Sequence, residues 1–120
     1  MKNVFKPLTK AEEQIMQVLW DLGSGFTKDI VDKINPKPHY NTISTLLKIL
    51  EEKGFVQIES RGKSNLYKPA VDKDAYSKKT MQQFVKGYFD GSFVSMLSFF
   101  AKEKDITVKD LEEILKEIKK

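Results

Sequence analysis

Between Tyr40 and Lys68 the chain changes its hydrophobic period across one glycine. Ile43, Leu46, Leu47 and Leu50 recur at the i, i+3, i+4, i+7 spacing of a helix face, and Gly54 ends the run. Phe55 to Ser60 then alternates, with Val56 and Ile58 on one side. Arg61-Gly62-Lys63-Ser64-Asn65 reads as a turn and Leu66-Tyr67-Lys68 as the returning strand. Pro69 suits a strand edge or end, since it cannot donate to a ladder. A helix handed straight to a hairpin in so small a chain leaves few architectures open.

Two further helical patterns come first. Leu8, Ala11, Ile15, Leu19 and Leu22 recur at spacings of three and four, widened by Met16 and Trp20, which read as core. Thr9 and Glu12 form a capping-box pair, and Gly23 and Gly25 supply the stop, so that Gly23-Ser24-Gly25 reads as a turn between helices. A second helix is signalled from Thr27. Phe26 and Val31 fit a hydrophobic staple there, with Ile30 and Ile34 facing the same way. Pro36-Lys37-Pro38 breaks the chain before the third helix.

The face opposite the third helix's apolar stripe holds Asn41, Thr45, Lys48 and Glu52, with Ser44 at its margin. Its N-terminal half is short, polar and free of acid, while Glu51 and Glu52 sit at the far end, against the preference of the helix dipole. A surface kept clear for a polyanion has this pattern, and so does a solvated face that merely lacks acids. Charge placement adds to it. The whole chain carries +4, a mild excess, but residues 36–68 hold six bases (Lys37, Lys48, Lys53, Arg61, Lys63, Lys68) against three acids (Glu51, Glu52, Glu59).

Catalytic and metal chemistry find little to stand on. There is no cysteine and one histidine, so neither a disulfide framework nor a soft transition-metal site is expected, and no cofactor. His39 lies between Pro38 and Tyr40 with no acid nearby to orient it, and reads as a loop or helix-entry residue. No glycine-rich phosphate loop occurs, and no carboxylate pair lies off a helix surface. Lys119 and Lys120 read as a solvated helix end. The first ten residues hold three lysines and no apolar run, so no secretion signal is expected there. Nor does any run approach the ~18 apolar residues of a membrane span. A cytoplasmic protein with no stable membrane association is expected.

After Asp72 the pattern is helical only. One helix, about Asp74 to Phe89, carries Met81, Phe84, Val85 and Tyr88, and Asp90-Gly91-Ser92 turns the chain. The next, Phe93 to about Lys102, has Phe93, Met96, Leu97 and Phe100 on one side and Val94, Phe99 and Ala101 on the others, the pattern of a helix buried nearly all round. The last begins at Thr107, with Asp110 three residues on, an Ile106–Leu111 staple and a stripe of Leu111, Ile114, Leu115 and Ile118. Five of the eight phenylalanines fall between Phe84 and Phe100. A segment this short rarely buries such surface alone. A second copy, the N-terminal half or another protein must cover it, and a symmetric homodimer is the commonest solution.

Two short helices, a longer helix with a polar N-terminal face and a basic-tipped hairpin make a winged helix-turn-helix. The expected fold is therefore mainly α with a small β-hairpin wing, over 1–71, followed by a C-terminal helical dimerisation domain over 72–120. In such a fold the recognition helix enters the major groove, and wing residues, here Arg61, Lys63 and Lys68, meet the DNA backbone. A winged helix can also serve as a protein–protein adaptor without sequence-specific DNA binding. The dimer contacts expected are Phe84, Tyr88, Phe89, Phe93, Met96, Leu97, Phe100, Leu111 and Leu115.

The residues also resemble a known family. Leu8-Thr9-Lys10-Ala11-Glu12 with Ile15-Met16 and Leu19-Trp20 is similar to the opening helix of the penicillinase repressor family. So is Tyr40-Asn41-Thr42-Ile43-Ser44-Thr45-Leu46-Leu47 with Leu50 and Glu52-Lys53-Gly54-Phe55. Arg61-Gly62-Lys63, Leu66-Tyr67 and Pro69 resemble its wing, and Phe89-Asp90-Gly91-Ser92 its dimerisation segment. The resemblance implies a homodimeric repressor on a palindromic double-stranded DNA operator, controlling an inducible resistance or stress operon. It implies DNA contacts at Asn41, Thr42, Ser44, Thr45 and Lys48. It also implies a membrane sensor system or a protease acting on the dimerisation segment. Three departures stand out. The family's copper branch carries a C-terminal cysteine cluster, absent here, which excludes thiolate copper sensing. The Asn-Phe bond cut in antibiotic-responsive members aligns with Phe99-Phe100. Ile49 stands where the family often has a base.

Overall fold

The computed structural model describes residues 7–120; the stretch before them, which holds most of the segment read as lacking a secretion signal, lies outside the described residues. Six helices and one hairpin follow in the order α1 Lys10–Leu22, α2 Thr27–Lys33, α3 Tyr40–Glu52, β1 Val56–Arg61, β2 Ser64–Pro69, α4 Lys73–Phe89, α5 Phe93–Lys102 and α6 Val108–Ile118. One compact unit runs to Ser77 and a second begins at Lys78, inside α4. The mainly helical fold with a β-hairpin wing is as the sequence predicts.

Helix α1 starts as its capping box dictates. The Thr9 hydroxyl accepts from the Glu12 amide at 3.1 Å, and the Glu12 carboxylate accepts from the Thr9 amide at 2.9 Å. Its inward stripe is Glu12, Ile15, Met16 and Leu19. Ala11 and Leu22, placed on the stripe by the sequence, are exposed instead. The inward sequence 12-15-16-19 keeps helical spacing but opens with an acid, which a hydrophobicity pattern passes over. Glu12 is tolerated because Lys53 reaches it from just past α3, at 2.7 Å, while also donating to the Pro7 carbonyl at 3.0 Å. Burial pushes the Glu12 carboxyl up, yet the bonds from Lys53 and Thr9 outweigh it and leave the group below its ordinary 4.5.

Helix α2 begins at Thr27, where the sequence signals it. Phe26 is the N-cap, and its amide donates to the Asp29 carboxylate at 2.9 Å, while Thr27 is buried in the first turn. Ile30, Val31 and Ile34 join Ile15, Met16, Leu19, Ile43, Leu47, Leu50, Phe55, Val56 and Tyr67 in one core. The rim of this core is aromatic. The Trp20 indole donates to the Val71 carbonyl at 2.8 Å. Tyr76 packs on Trp20 and Phe55 at ring distances of 5.5 and 5.7 Å, and its hydroxyl donates to Glu13 at 3.1 Å.

The hairpin is tighter than the sequence suggests. Ser60 pairs with Asn65 and Arg61 with Ser64, so only Gly62 and Lys63 form the turn. Gly62 takes φ +62°, the left-handed geometry that two-residue hairpins demand. The segment read as a plain turn between helices does more than turn. Gly25 exchanges both backbone hydrogen bonds with Tyr67, at 2.8 and 2.9 Å, and adds a one-residue third strand to the wing.

The second unit is built differently. Thr107 and Asp110 form the reciprocal cap predicted for α6, and the Ser92 hydroxyl caps α5. Phe89 lies among Phe84, Phe99 and Phe100, with ring centroids at 6.1, 5.8 and 6.4 Å. Among its described residues only Val85 is buried; α5, expected to be buried nearly all round, has no buried residue, and neither has α6. Three short helices have too little facing surface to cover one another's apolar sides.

Candidate nucleic-acid interface

Helix α3 stands on the core through Ile43, Leu47 and Leu50 and turns its other side outward. Asn41, Thr42, Thr45 and Lys48 are exposed and Ser44 is half-buried. The first turn has no acid, and His39, the N-cap, makes no side-chain capping bond. The Thr45 hydroxyl donates to the Asn41 carbonyl at 3.0 Å. That back-bond occupies its proton and leaves its lone pairs and methyl group facing out.

The N-terminal end of α3 borders a polar cleft of about 410 Å³, lined by Thr27, Lys28, Tyr40, Ser44, Lys63 and Asn65 among others. The start of α2, the start of α3 and the wing tip thus meet at one place. Of the residues predicted for the interface, Ser44 and Lys63 line this cleft, whereas Asn41, Thr42, Thr45, Lys48, Arg61 and Lys68 do not. Sequence reasoning passed over Lys28, Tyr40 and Asn65. Tyr40 sits three residues before Ile43, at the spacing of the apolar stripe, yet it is 56% exposed. Lys28 sits on a seven-residue helix, too short for a pattern to assign it a face.

The charge count changes meaning once partners are known. Lys37 pairs with Asp32 at 3.2 Å and Lys53 with Glu12 at 2.7 Å. Lys68 pairs with Glu59 at 2.8 Å, and the Arg61 guanidinium pairs with the same carboxylate. The hydrogen bonds from Lys68 and then Arg61 hold the Glu59 carboxyl below its ordinary range. Among the described residues Lys48 and Lys63 are the two bases of segment 36–68 that take part in no ion pair.

In the second unit the predicted dimer contacts divide. Phe84, Tyr88, Phe93 and Leu115 are exposed, whereas Phe89, Met96, Leu97, Phe100 and Leu111 are half-buried. Val94, Phe99 and Ile118, which were not among those contacts, are exposed as well. Among the described residues no cluster of acids or histidine could hold a metal ion, and no helix is long and apolar enough to cross a membrane.

Comparison with known proteins places this geometry. Residues 8–120 match the family described as penicillinase repressor. The chain belongs to the penicillinase repressor family. The methicillin resistance regulatory protein MecI of Staphylococcus aureus is 25% identical over 116 residues, covering 95% of this chain and 94% of its own. The penicillinase repressor of Bacillus licheniformis is 25% identical over 109 residues, covering 89% of this chain and 85% of its own. Among solved structures, monomeric Bacillus licheniformis BlaI in complex with the blaP half-operator superposes with a TM-score of 0.51 at 25% identity, over 61% of this chain and 92% of that one. The fold is thus a winged helix, and membership of a family of DNA-binding repressors makes the chain a transcriptional regulator rather than an enzyme.

Proposed function

We propose that the chain represses transcription as a homodimer bound to a palindromic operator, with one α3 helix in each of two major grooves. The observation that carries this reading is the convergence of Tyr40 and Ser44, at the acid-free start of α3, with Lys63, which takes part in no ion pair among the described residues, on one polar cleft. A major groove about 12 Å wide admits a helix, whose N-terminal residues then meet base edges. Asn41, Thr42, Ser44, Thr45 and Lys48 are the base-reading set, Lys63 the principal backbone contact of the wing, and Arg61 and Lys68 further backbone contacts. The half-operator bound by the BlaI relative supports the same docking here.

The reader is residues 1–71 and the dimerisation domain 72–120. Support for the second copy comes from α4 to α6, whose exposed Phe84, Phe93, Phe99 and Leu115 exceed what a solitary soluble domain leaves wet. Half-sites then lie a helical turn or a multiple apart, at ~10 base pairs per turn. Repression follows from promoter occlusion, and induction from loss of the dimer, because a lone half-site gives up the avidity of two linked contacts. The regulated genes belong to an inducible resistance or stress operon, and the protein works in the cytoplasm. A membrane sensor system or a protease acting on the dimerisation domain is the inducing partner; with Phe99 before Phe100, that position offers no Asn-Phe bond to cut.

Selection of bound sequences from a random duplex pool tests the reading. A palindrome is expected. An asymmetric single site removes the dimer, and an absence of salt-dependent enrichment favours a protein–protein adaptor.

A further inference from the structure

The wing holds an acid where a DNA-binding hairpin gains nothing from one. Glu59 lies on β1 opposite Leu66, and Gln57 lies opposite Lys68, so Glu59, Arg61 and Lys68 share one face of the hairpin. The Glu59 carboxylate takes the Lys68 ammonium on one oxygen, at 2.8 Å, and the Arg61 guanidinium on the other. A carboxylate gripped by an arginine and a lysine occupies the seat that a backbone phosphate would take, because both anions offer paired oxygens to the same donors. All three side chains are substantially exposed, so the pairs are open to competition from solvent and other anions. Lys63, at the turn, is left outside this arrangement.

The geometry points to Glu59 as a built-in competitor for DNA phosphate, which withholds Arg61 and Lys68 and so sets how many phosphates the wing can hold. The inference rests on the DNA-binding reading above. With Glu59 in place, a wing phosphate meets Lys63 at full charge and a Glu59–Arg61–Lys68 group carrying only one net positive charge. Such an arrangement keeps non-specific affinity low. Discrimination then falls to α3, whose contacts depend on sequence, rather than to the wing, whose contacts do not.

The test is the salt dependence of binding to random-sequence duplex DNA by the full chain and by Glu59→Gln. Each added phosphate contact steepens the log–log slope by about 0.9. Glu59→Gln should therefore steepen it by about one to two units and raise affinity near 0.1 M salt by about tenfold or more. Adding Arg61→Ala and Lys68→Ala to that variant must abolish the gain. A gain that survives without those two cations reflects only the loss of a repulsive charge and overturns the role of Glu59. A slope equal to or shallower than that of the unaltered chain overturns it too. If the unaltered chain binds no duplex DNA at all, the repressor reading fails first, and that outcome is distinct from DNA binding with an unchanged slope. Thermal unfolding of each variant establishes that the hairpin is intact, a property that a merely structural Glu59 would change without moving the slope.

Discussion

The two units of this chain spend their apolar residues in opposite ways. In the first, three helices and a hairpin enclose a shared core in which Ile15, Met16, Leu19, Ile30, Leu47 and Leu50 have no exposed surface. In the second, Val85 alone among the described residues reaches that state, although the segment holds most of the phenylalanines. Hydrophobicity alone therefore does not tell a folded core from an uncovered apolar surface. What separates them is whether facing elements exist to cover each stripe. The first unit surrounds α3 with α1, α2 and β1, while each helix of the second keeps an uncovered side.

The contrast predicts opposite failures for opposite substitutions. Leu47→Ala in the first unit should cost about 3–4 kcal/mol, through lost transfer energy and a residual cavity, and urea unfolding would read it as a lower midpoint with an unchanged slope. A loss under 1 kcal/mol would mean that this core is far looser than its burial indicates. Phe93→Asp in the second unit should leave the first unit folded and break association. Light scattering should then report half the mass of the unaltered chain. An unchanged mass would remove α5 from the dimer contact.

Between these extremes lies the Glu12–Lys53 pair, which joins the start of α1 to the end of α3. Glu12→Gln keeps an acceptor for the Thr9 amide but leaves Lys53 without its counter-charge, and should cost about 2 kcal/mol. The sign of the pH effect follows from the direction of the shift. A carboxyl held below 4.5 in the folded state contributes stability that is whole above that pH and drains away as pH falls through the lowered value. The acid limb of the stability curve should therefore be shallower in Glu12→Gln. An unchanged limb would show that the pair contributes nothing on balance.

The first unit was legible because its signals are local. The Thr9–Glu12 box, the α3 stripe and the strand alternation all depend on residues within a few positions of each other. What escaped the sequence is long-range. The Gly25–Tyr67 bridge, the inward Glu12 and the pairing of Glu59 with Lys68 each join segments whose meeting only the fold decides. The charge count for residues 36–68 illustrates the cost. It located the basic region but could not show that four of its six bases are already partnered, which singles out Lys48 and Lys63.

Two smaller effects sharpen the division of labour inside the first unit. Thr45→Ala should change sequence preference by about 1 kcal/mol and leave binding to random DNA nearly unaltered. Because its hydroxyl proton is engaged by the Asn41 carbonyl, Thr45→Val tests the methyl group alone. A preference retained in Thr45→Val but lost in Thr45→Ser assigns the readout to apolar contact with a base methyl, and the reverse assigns it to the hydroxyl lone pairs. A proportional loss on specific and random DNA would take Thr45 off the reading face.

Lys63→Ala should have the opposite profile and the smallest effect. The wing tip is exposed and Lys63 makes no ion pair among the described residues, so its removal should leave stability unchanged. It should weaken binding to all sequences alike and reduce the salt slope by about one unit, the signature of one lost phosphate. The neighbouring bases provide the internal control. With Glu59 in place, Lys68→Ala should reduce the slope by less than Lys63→Ala does, because Lys68 already spends its charge within the hairpin. Equal losses from the two substitutions would mean that DNA draws Lys68 away from Glu59 on binding, and the wing's free charge would then have to be counted in the complex rather than in the free protein.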